Sequence, residues 1–163
     1  MKAHFSSKQK KIYLLLAAVF LAGIFGVFYW LDSRPYSPAP DEFAFRVQLD
    51  VKEDIGLLIY DYEINGHKYG GGISNADRSL LKRGEQVILV FRKDELNTAA
   101  DLIDMNIRFR IITEYVDPNF ENVYPEEITR YLDPLSLTLR FGETYDFTVT
   151  GGRENGYTVT FRE

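Results

Sequence analysis

The sequence predicts a mainly β protein in which a single N-terminal transmembrane helix precedes an antiparallel β-sandwich with one short inserted helix. Three observations support this prediction. Residues 12–31 contain no charged side chain. Most of the remaining chain consists of short segments in which apolar and polar residues alternate, which is the pattern of half-buried strands. Between two of these segments lies Asn65-Gly66, a dipeptide typical of tight hairpins because both turn positions require positive φ.

Residues 12–31 form the predicted transmembrane helix. Twenty residues give about 30 Å of helix, which matches the hydrocarbon thickness of a bilayer. The run ends in the bulky residues 28–31 and not in a small-residue cleavage site, which favours an uncleaved signal anchor over a cleaved signal peptide. Basic residues precede the run without any acid, so we expect residues 1–11 to be a cytoplasmic tail and the C-terminal domain to be extracytoplasmic at the cell membrane.

The predicted transmembrane helix contains a row of small residues and is followed by a proline-rich segment. Ala18, Ala22 and Gly26 recur every four residues, which predicts a possible contact between transmembrane helices, although small residues are also common in any such helix. Residues 32–42 contain three prolines and predict a stiff, extended linker. The domain organisation is therefore tail, anchor, linker and one domain over residues 43–163.

Composition limits the chemistry of that domain. It contains no cysteine, so its fold cannot depend on disulfides. From residue 41 onward the chain carries 14 Lys and Arg against 23 Asp and Glu, and this acidic balance argues against nucleic acid as a partner. We expect no cofactor and no metal, because the scarcity of histidine and cysteine does not suit a zinc site.

Alternation places the strands along the chain. Residues 87–91 are apolar without alternation, which indicates a strand covered on both sides. Residues 93–105 fit either a short helix capped by Asn97 or Thr98 or an irregular crossover. Pro125, the acids after it and the apolar spacing up to Leu132 predict a helix of about two turns. The predicted strands are residues 43–52, 56–64, 67–74, 87–91, 107–115, 135–141, 145–149 and 157–161.

Short alternating strands with frequent turns indicate an immunoglobulin-like or fibronectin-III-like sandwich. Residues 142–149 read GETYDFTV, and this stretch resembles the tyrosine-corner strand of such sandwiches. The resemblance implies that the Tyr145 hydroxyl forms a hydrogen bond with the backbone upstream.

Two groups of residues are candidates for an interaction surface. Three consecutive glycines in the second hairpin arm, Gly70, Gly71 and Gly72, indicate a bulge, a bend or the close approach of another backbone, which includes that of a partner chain. Aromatic residues around the predicted helix, Phe120, Tyr124 and Tyr131, either belong to the core or form an exposed platform for a glycan or a protein.

No set of residues in the sequence specifies a reaction. His67 directly follows the hairpin turn, where an exposed turn residue is expected more often than a catalytic base. The acidic pairs Glu126–Glu127 and Asp101–Asp104 are the nominal candidates for a glycosidase-like mechanism. The sequence favours a non-enzymatic, membrane-anchored interaction or accessory domain of a cell-envelope complex. A polysaccharide-binding module and, third, a carboxylate-dependent hydrolase stay open.

Overall fold

The computed structural model describes residues 16–17, 19–21, 23–24, 26, 36–114 and 124–162. The chain divides into two compact units, Met1–Tyr36 and Ser37–Glu163. In the first unit the described residues between 16 and 26 are helical. Among the positions that the structure describes, no helix is long and apolar enough to cross a membrane. Most of the predicted anchor, the whole predicted tail and residues 32–35 of the linker lie outside the described residues.

The second unit consists of strands and one 3₁₀ turn, which lies at Glu126–Ile128 between β5 and β6. The strands are β1 Glu42–Val51, β2 Leu57–Ile64, β3 His67–Ile73, β4 Gln86–Arg92, β5 Leu102–Ile112, β6 Thr129–Tyr131, β7 Leu135–Arg140, β8 Thr144–Gly152 and β9 Gly156–Arg162.

The strands form two sheets, which confirms the prediction of a mainly β domain. The first sheet has the order β4-β1-β8-β9, and the second has the order β3-β2-β5-β6, with β7 also paired to β5. The expectation of purely antiparallel pairing was wrong at one place, because β1 and β8 run parallel from Ala44–Thr144 to Val51–Gly151. Alternation shows which face a residue occupies but not the direction of the neighbouring strand, so the sequence carried no signal for this pair.

Several local predictions are confirmed. β2 and β3 pair without interruption from Leu58–Ile73 to Ile64–His67. The turn residues Asn65 and Gly66 have φ of 52° and 79°, as a hairpin turn with two positive φ angles requires. The last two strands pair as a hairpin from Asp146–Arg162 to Gly152–Gly156, in agreement with the glycine-flanked loop of the sequence.

Two predictions about the middle of the chain need correction, the strand covered on both sides and the helical alternative for residues 93–105. β4 is covered on one side only, because Ile88 is 41% exposed while Val87 and Leu89 are buried. The strand lies at the edge of its sheet. β-branched residues are favoured in strands on the solvent face as well, so an apolar run does not require burial on both sides. Residues 93–97 form turns, with Asn97 at φ 50°. β5 begins at Leu102, so the helix considered for residues 93–105 is absent and the end of that segment is a strand.

The predicted two-turn helix from Pro125 to Leu132 is also wrong. Only Glu126–Ile128 forms a helical turn, of the 3₁₀ type, and Thr129–Tyr131 is strand β6. Thr129, Arg130 and Tyr131 pair with β5. The turn has no side-chain cap, and a short isolated helix is only marginally stable. Pairing with β5 satisfies the backbone groups of residues 129–131. Tertiary contacts therefore outweigh the helical spacing of the sequence.

Aromatic rings fill the space between the two sheets. Phe43, Phe45 and Phe91 belong to the first sheet, and the Phe43 and Phe91 rings stack with their centroids 4.8 Å apart. Phe147 of the first sheet contacts Phe109 of the second at 5.8 Å between centroids. These side chains are almost fully buried, and burial of each contributes roughly 1.5–3 kcal/mol to folding.

The tyrosine-corner contact is present at the connection from β7 to β8. The backbone N–H of Arg140 donates a hydrogen bond to the Tyr145 hydroxyl oxygen at 2.6 Å. That hydroxyl in turn lies 3.0 Å from a Glu143 carboxylate oxygen. Since β7 lies in the second sheet and β8 in the first, the bond holds the chain where it passes between sheets. The predicted upstream bond of Tyr145 is confirmed.

We expect Tyr145→Phe to lower the free energy of unfolding by about 1 kcal/mol, because it removes this hydrogen bond and leaves the ring in place. The matched control is Tyr131→Phe, which changes a residue that is 60% exposed and should shift stability by less than about 0.5 kcal/mol. Urea unfolding followed by circular dichroism measures both values. Equal losses in the two variants would show that the corner contact does not stabilise the crossing.

Candidate functional site

An open groove runs across the outer face of the second sheet and has a volume of about 670 Å³. We call it the outer groove. Strands β2, β3, β5 and β6 contribute its side chains, together with Pro134 after β6. The residues that give it polar and aromatic character are Asp61, Glu63, Lys68, Asn106, Arg108, Arg110 and Tyr131.

Strand register brings these residues to one face. In β5, residues 103, 105, 107, 109 and 111 are buried, so the residues between them point outward, away from the first sheet. The antiparallel register sets Asp61 opposite Arg108 and Glu63 opposite Asn106. Arg110 lies opposite Tyr131. Cross-strand partners share a face, and the groove therefore combines residues distant in sequence.

Arg110 is the centre of the outer groove. Its Nε and Nη2 donate to the two carboxylate oxygens of Asp61 at 2.8 and 3.2 Å, which is the bidentate arrangement that fixes a guanidinium plane. Its Cζ also lies 5.8 Å from the centroid of the Tyr131 ring, within the range of a cation–π contact. Tyr131 is held in place by these contacts and still exposes 60% of its surface.

Burial perturbs a tyrosine beneath this face. Tyr62 lines the groove, and its ring stacks on Tyr69 with centroids 5.1 Å apart. Burial is the main cause that raises the pKa of Tyr62 to about 12, with smaller contributions from Tyr60, Tyr69 and Glu95. Its hydroxyl is therefore a neutral hydrogen-bonding group at neutral pH.

The predicted aromatic platform is only partly assembled. Tyr131 is exposed at the outer groove. Tyr124 is half-buried and packs, with Ile128, on a small apolar cluster of the second sheet formed by Leu57, Ile59 and Ile112. Phe120 lies outside the described residues. The segment before β6 thus covers part of the outer face and leaves Tyr131 as the exposed aromatic side chain of the groove.

The three glycines lie in β3, at the edge of the second sheet. No bulge interrupts their pairing with β2. A Cβ on Gly71 would collide with the ring and hydroxyl of Tyr60, its cross-strand partner. Gly70 and Gly72 face the other side, where a Cβ would meet Asp61 Oδ1 at 3.2 Å or Ile59 Cγ1 at 3.6 Å. The close approach at Gly71 therefore comes from a side chain and not from another backbone.

The acidic residues considered for catalysis have other partners. Asp101 accepts a hydrogen bond from Lys93 Nζ at 2.6 Å, and this bond lowers the pKa of its carboxyl group. Asp104 accepts one from Thr138 at 2.7 Å. Glu126 and Glu127 are exposed in the 3₁₀ turn. A lowered carboxyl pKa is opposite to the shift that a glycosidase general acid requires.

The remaining candidate residues are His67 and the three small residues of the predicted transmembrane helix. His67 is exposed at the start of β3. Gly26 is helical, and a Cβ built on it meets nothing within 4 Å; Ala18 and Ala22 lie outside the described residues. Across residues 36–114 and 124–162, no group of three or more His, Cys, Asp or Glu residues is placed to hold a metal ion.

A polar cluster ties the two sheets together at the opposite end of β2. Glu53 accepts hydrogen bonds from the Tyr157 hydroxyl at 2.5 Å and the Arg153 backbone N–H at 2.6 Å. Arg153 also donates to the carbonyl oxygen of Thr113 and to Glu114, both at 2.7 Å. The Tyr157 bond is the main cause that lowers the pKa of Glu53. These contacts connect the β8–β9 turn to the end of β5.

The sequence did not point to Asp61 or Arg110. Their pairing depends on the register of β2 with β5, and they are 49 positions apart. The alternating polar side chains on the solvent face of β5, Asn106, Arg108 and Arg110, were the only local signal. Of the two alternatives for Tyr131, core or exposed, the structure shows the exposed one, and the predicted helical context was wrong.

Comparisons with known proteins give distant structural similarity alone. No protein-family model matches the chain, and no curated protein matches it. A non-hemolytic pneumolysin from Streptococcus pneumoniae is similar over 74% of this chain and 23% of its own, with 10% identity and a TM-score of 0.38. The human-specific toxin intermedilysin is similar over 75% and 24%, with 10% identity and a TM-score of 0.37.

The membrane-binding domain of pneumolysin is similar over 75% of this chain and 96% of its own, with 9% identity and a TM-score of 0.37. The chain thus spans about a quarter of the length of the whole toxins that it matches. At these values the similarities do not assign the chain to a family.

We expect Gly71→Ala to lower the free energy of unfolding by about 1–3 kcal/mol, because the added methyl group must displace the Tyr60 ring from a packed position. The matched control is Gly72→Ala, one residue along on the other face, where the new methyl group makes ordinary contacts. That control should be neutral or slightly stabilising. Thermal unfolding of the two variants side by side is the measurement, and a harmless Gly71→Ala would contradict the packing described for Tyr60.

Proposed function

We propose that this chain is a non-enzymatic, membrane-anchored interaction domain that lies outside the cell and serves as an accessory component of a cell-envelope complex. The outer groove is its proposed binding surface for a protein partner. The observation that carries the proposal is the arrangement of Arg110, which is fixed by Asp61 and lies against an exposed Tyr131 ring.

This arrangement has the properties of a binding anchor. Tyrosine and arginine are enriched among the residues that dominate protein interfaces. The bidentate pair with Asp61 holds Arg110 before any partner arrives, which reduces the entropy lost on binding. Lys68, Glu63 and Arg108 place charges of both signs around the ring, and such charges favour one orientation of a partner.

The N-terminal sequence supports the proposed location. An uncharged run of 20 residues follows a lysine-rich start, a combination that favours insertion with the N-terminus in the cytoplasm. The domain after it contains no cysteine and obtains its stability from a packed core with aromatic rings from both sheets. A domain of this kind needs no oxidative folding step outside the membrane.

A glycan is the second candidate ligand of the same groove. Sugars bind to proteins through an aromatic face and planar polar side chains, and the outer groove offers the Tyr131 ring beside Asn106, Asp61 and Glu63. The exposed face of Tyr131 is the specific observation that favours this alternative.

Replacement of Tyr131 by a photoreactive benzophenone amino acid, in the full-length chain in intact cells, tests the proposal. We expect irradiation to give a discrete adduct with a protein, because the ring at position 131 lies on the binding surface. A chain that also carries Arg110→Ala should give less adduct, since the ring loses its support. Mass spectrometry of the purified adduct identifies the partner.

The matched control places the same photoreactive residue at Ile88, which is also exposed but lies on the first sheet. An adduct that contains sugar in place of peptide would select the glycan alternative. No adduct from position 131, or the same adducts from both positions, would remove the outer groove as the binding surface.

A further inference from the structure

β3 offers backbone hydrogen-bonding groups at the free edge of the second sheet. A two-residue hairpin loop is closed by a pair of residues that exchange both backbone hydrogen bonds, here Ile64 and His67. Bonded and non-bonded pairs then alternate along the strands. The N–H and C=O groups of Lys68, Gly70 and Gly72 consequently point away from β2, and no strand among the described residues pairs with β3 on that side.

This edge carries few of the devices that normally keep sheet edges apart. Natural proteins protect an edge with proline, charged side chains such as lysine, or a bulge, and in β3 only Lys68 is of this kind. The segment Gly70–Gly72 has no side chain, and its pairing with β2 is regular. Gly70 and Gly72 are exposed, while Tyr69 and Ile73 on the inner side are half-buried. Another strand can therefore approach the edge without steric obstruction.

We propose that β3 pairs with β3 of a second copy of this chain, antiparallel and centred on Gly70, so that the second sheets of two copies become continuous. In this register Gly70 faces Gly70 of the second copy, and Lys68 faces Gly72 of the second copy. Each of these pairs joins residues whose backbone groups point to the free edge, so each exchanges two hydrogen bonds.

Side-chain size and charge select this register and a second copy as the occupant. Tyr69 faces Gly71 and Lys68 faces Gly72 of the second copy, so that these two large side chains meet glycines, while His67 and Ile73 face each other at the ends of the pairing. Pairing centred on Lys68 would oppose two like charges, which destabilises a sheet. The sequence HKYGGGI is thus complementary to itself when reversed about Gly70.

The interface consists of one strand pair and is small. A contact of this size is weak between freely diffusing molecules. Tethering two copies in one membrane, which rests on the proposed anchor, raises their effective concentration and favours pairing. The proposal does not depend on the outer groove, so failure of the groove experiment leaves it standing.

Cysteine crosslinking of the full-length chain in its native membrane tests the proposal, because the chain contains no cysteine of its own. The Cα atoms of a hydrogen-bonded antiparallel pair lie about 5.5 Å apart, within the range of a disulfide. We expect mild oxidation of Gly70→Cys to give a disulfide-linked dimer as the main species. Ile88→Cys, at the exposed face of the other sheet, should give only a trace of dimer.

A second pair of variants tests the register. Lys68→Cys alone should not crosslink. In the proposed register position 68 faces position 72 of the second copy, so the two cysteines at position 68 are far apart. Lys68→Cys mixed with Gly72→Cys, each carrying a different tag, should give the mixed dimer. Gly70→Pro, combined with these cysteines, should abolish the mixed dimer and keep the thermal unfolding temperature, because it removes an N–H that does not pair with β2.

Three results with the cysteine variants would each overturn the proposal. They are the absence of a Gly70→Cys dimer in the membrane, a Lys68→Cys dimer as abundant as the mixed dimer, and crosslinking of Gly70→Cys only to a different protein. A mixed dimer that survives Gly70→Pro would overturn it as well.

Discussion

The register of β2 against β5 is the constraint on which the binding surface depends. Ile107 and Phe109 on the inner face of β5 are at most 1% exposed, and Phe109 contacts Phe147 of the first sheet. A shift of one residue would exchange every inner side chain for an outer one. Arg108 and Arg110 would then enter the core, where an unpaired charge is far more costly than any gain from a new contact. The core therefore fixes which side chains meet outside.

Both functional surfaces follow from this one arrangement. The outer groove combines residues of four strands, and its residues in β5 alternate with buried ones that fix their outward direction. The edge of β3 follows in the same way, since the tight turn at Asn65-Gly66 fixes which backbone groups of β3 face outward. Tyr60 connects the two surfaces, because its ring occupies the space beside Gly71 and its strand carries Asp61. Binding in the groove and pairing at the edge involve neighbouring positions of one sheet.

Local signals in the sequence were sufficient for most of the fold. Alternation located β1, β7, β8 and β9, and the positive-φ turn located the β2–β3 hairpin. The bond of Tyr145 followed from a short motif. Each of these features depends on residues that are close in sequence, and solvent exposure of alternate side chains is visible in the residue pattern itself.

The remaining features depend on contacts between distant segments. The parallel pairing of β1 with β8, the exposure of Ile88 on β4 and the strand at Thr129–Tyr131 all result from neighbours supplied elsewhere in the chain. The candidate site divides in the same way. Tyr131 was a candidate because of its residue type, whereas Arg110 and Asp61 required the register of β2 with β5. A helical spacing of apolar residues also fitted residues 125–132, because Ile128 of the 3₁₀ turn, Tyr131 of β6 and Leu132 after it satisfy that spacing by coincidence.

Single cysteines at consecutive positions 106–110 of β5, introduced one at a time into this cysteine-free chain, test most directly which side chains of β5 face the core and which face the groove. The measurement is the rate of reaction of each thiol with a water-soluble maleimide under native conditions. Cysteines at 106, 108 and 110 should react rapidly, and those at 107 and 109 should react only after unfolding. Uniform reactivity along the strand, or fast reaction at 107 and 109, would contradict the account.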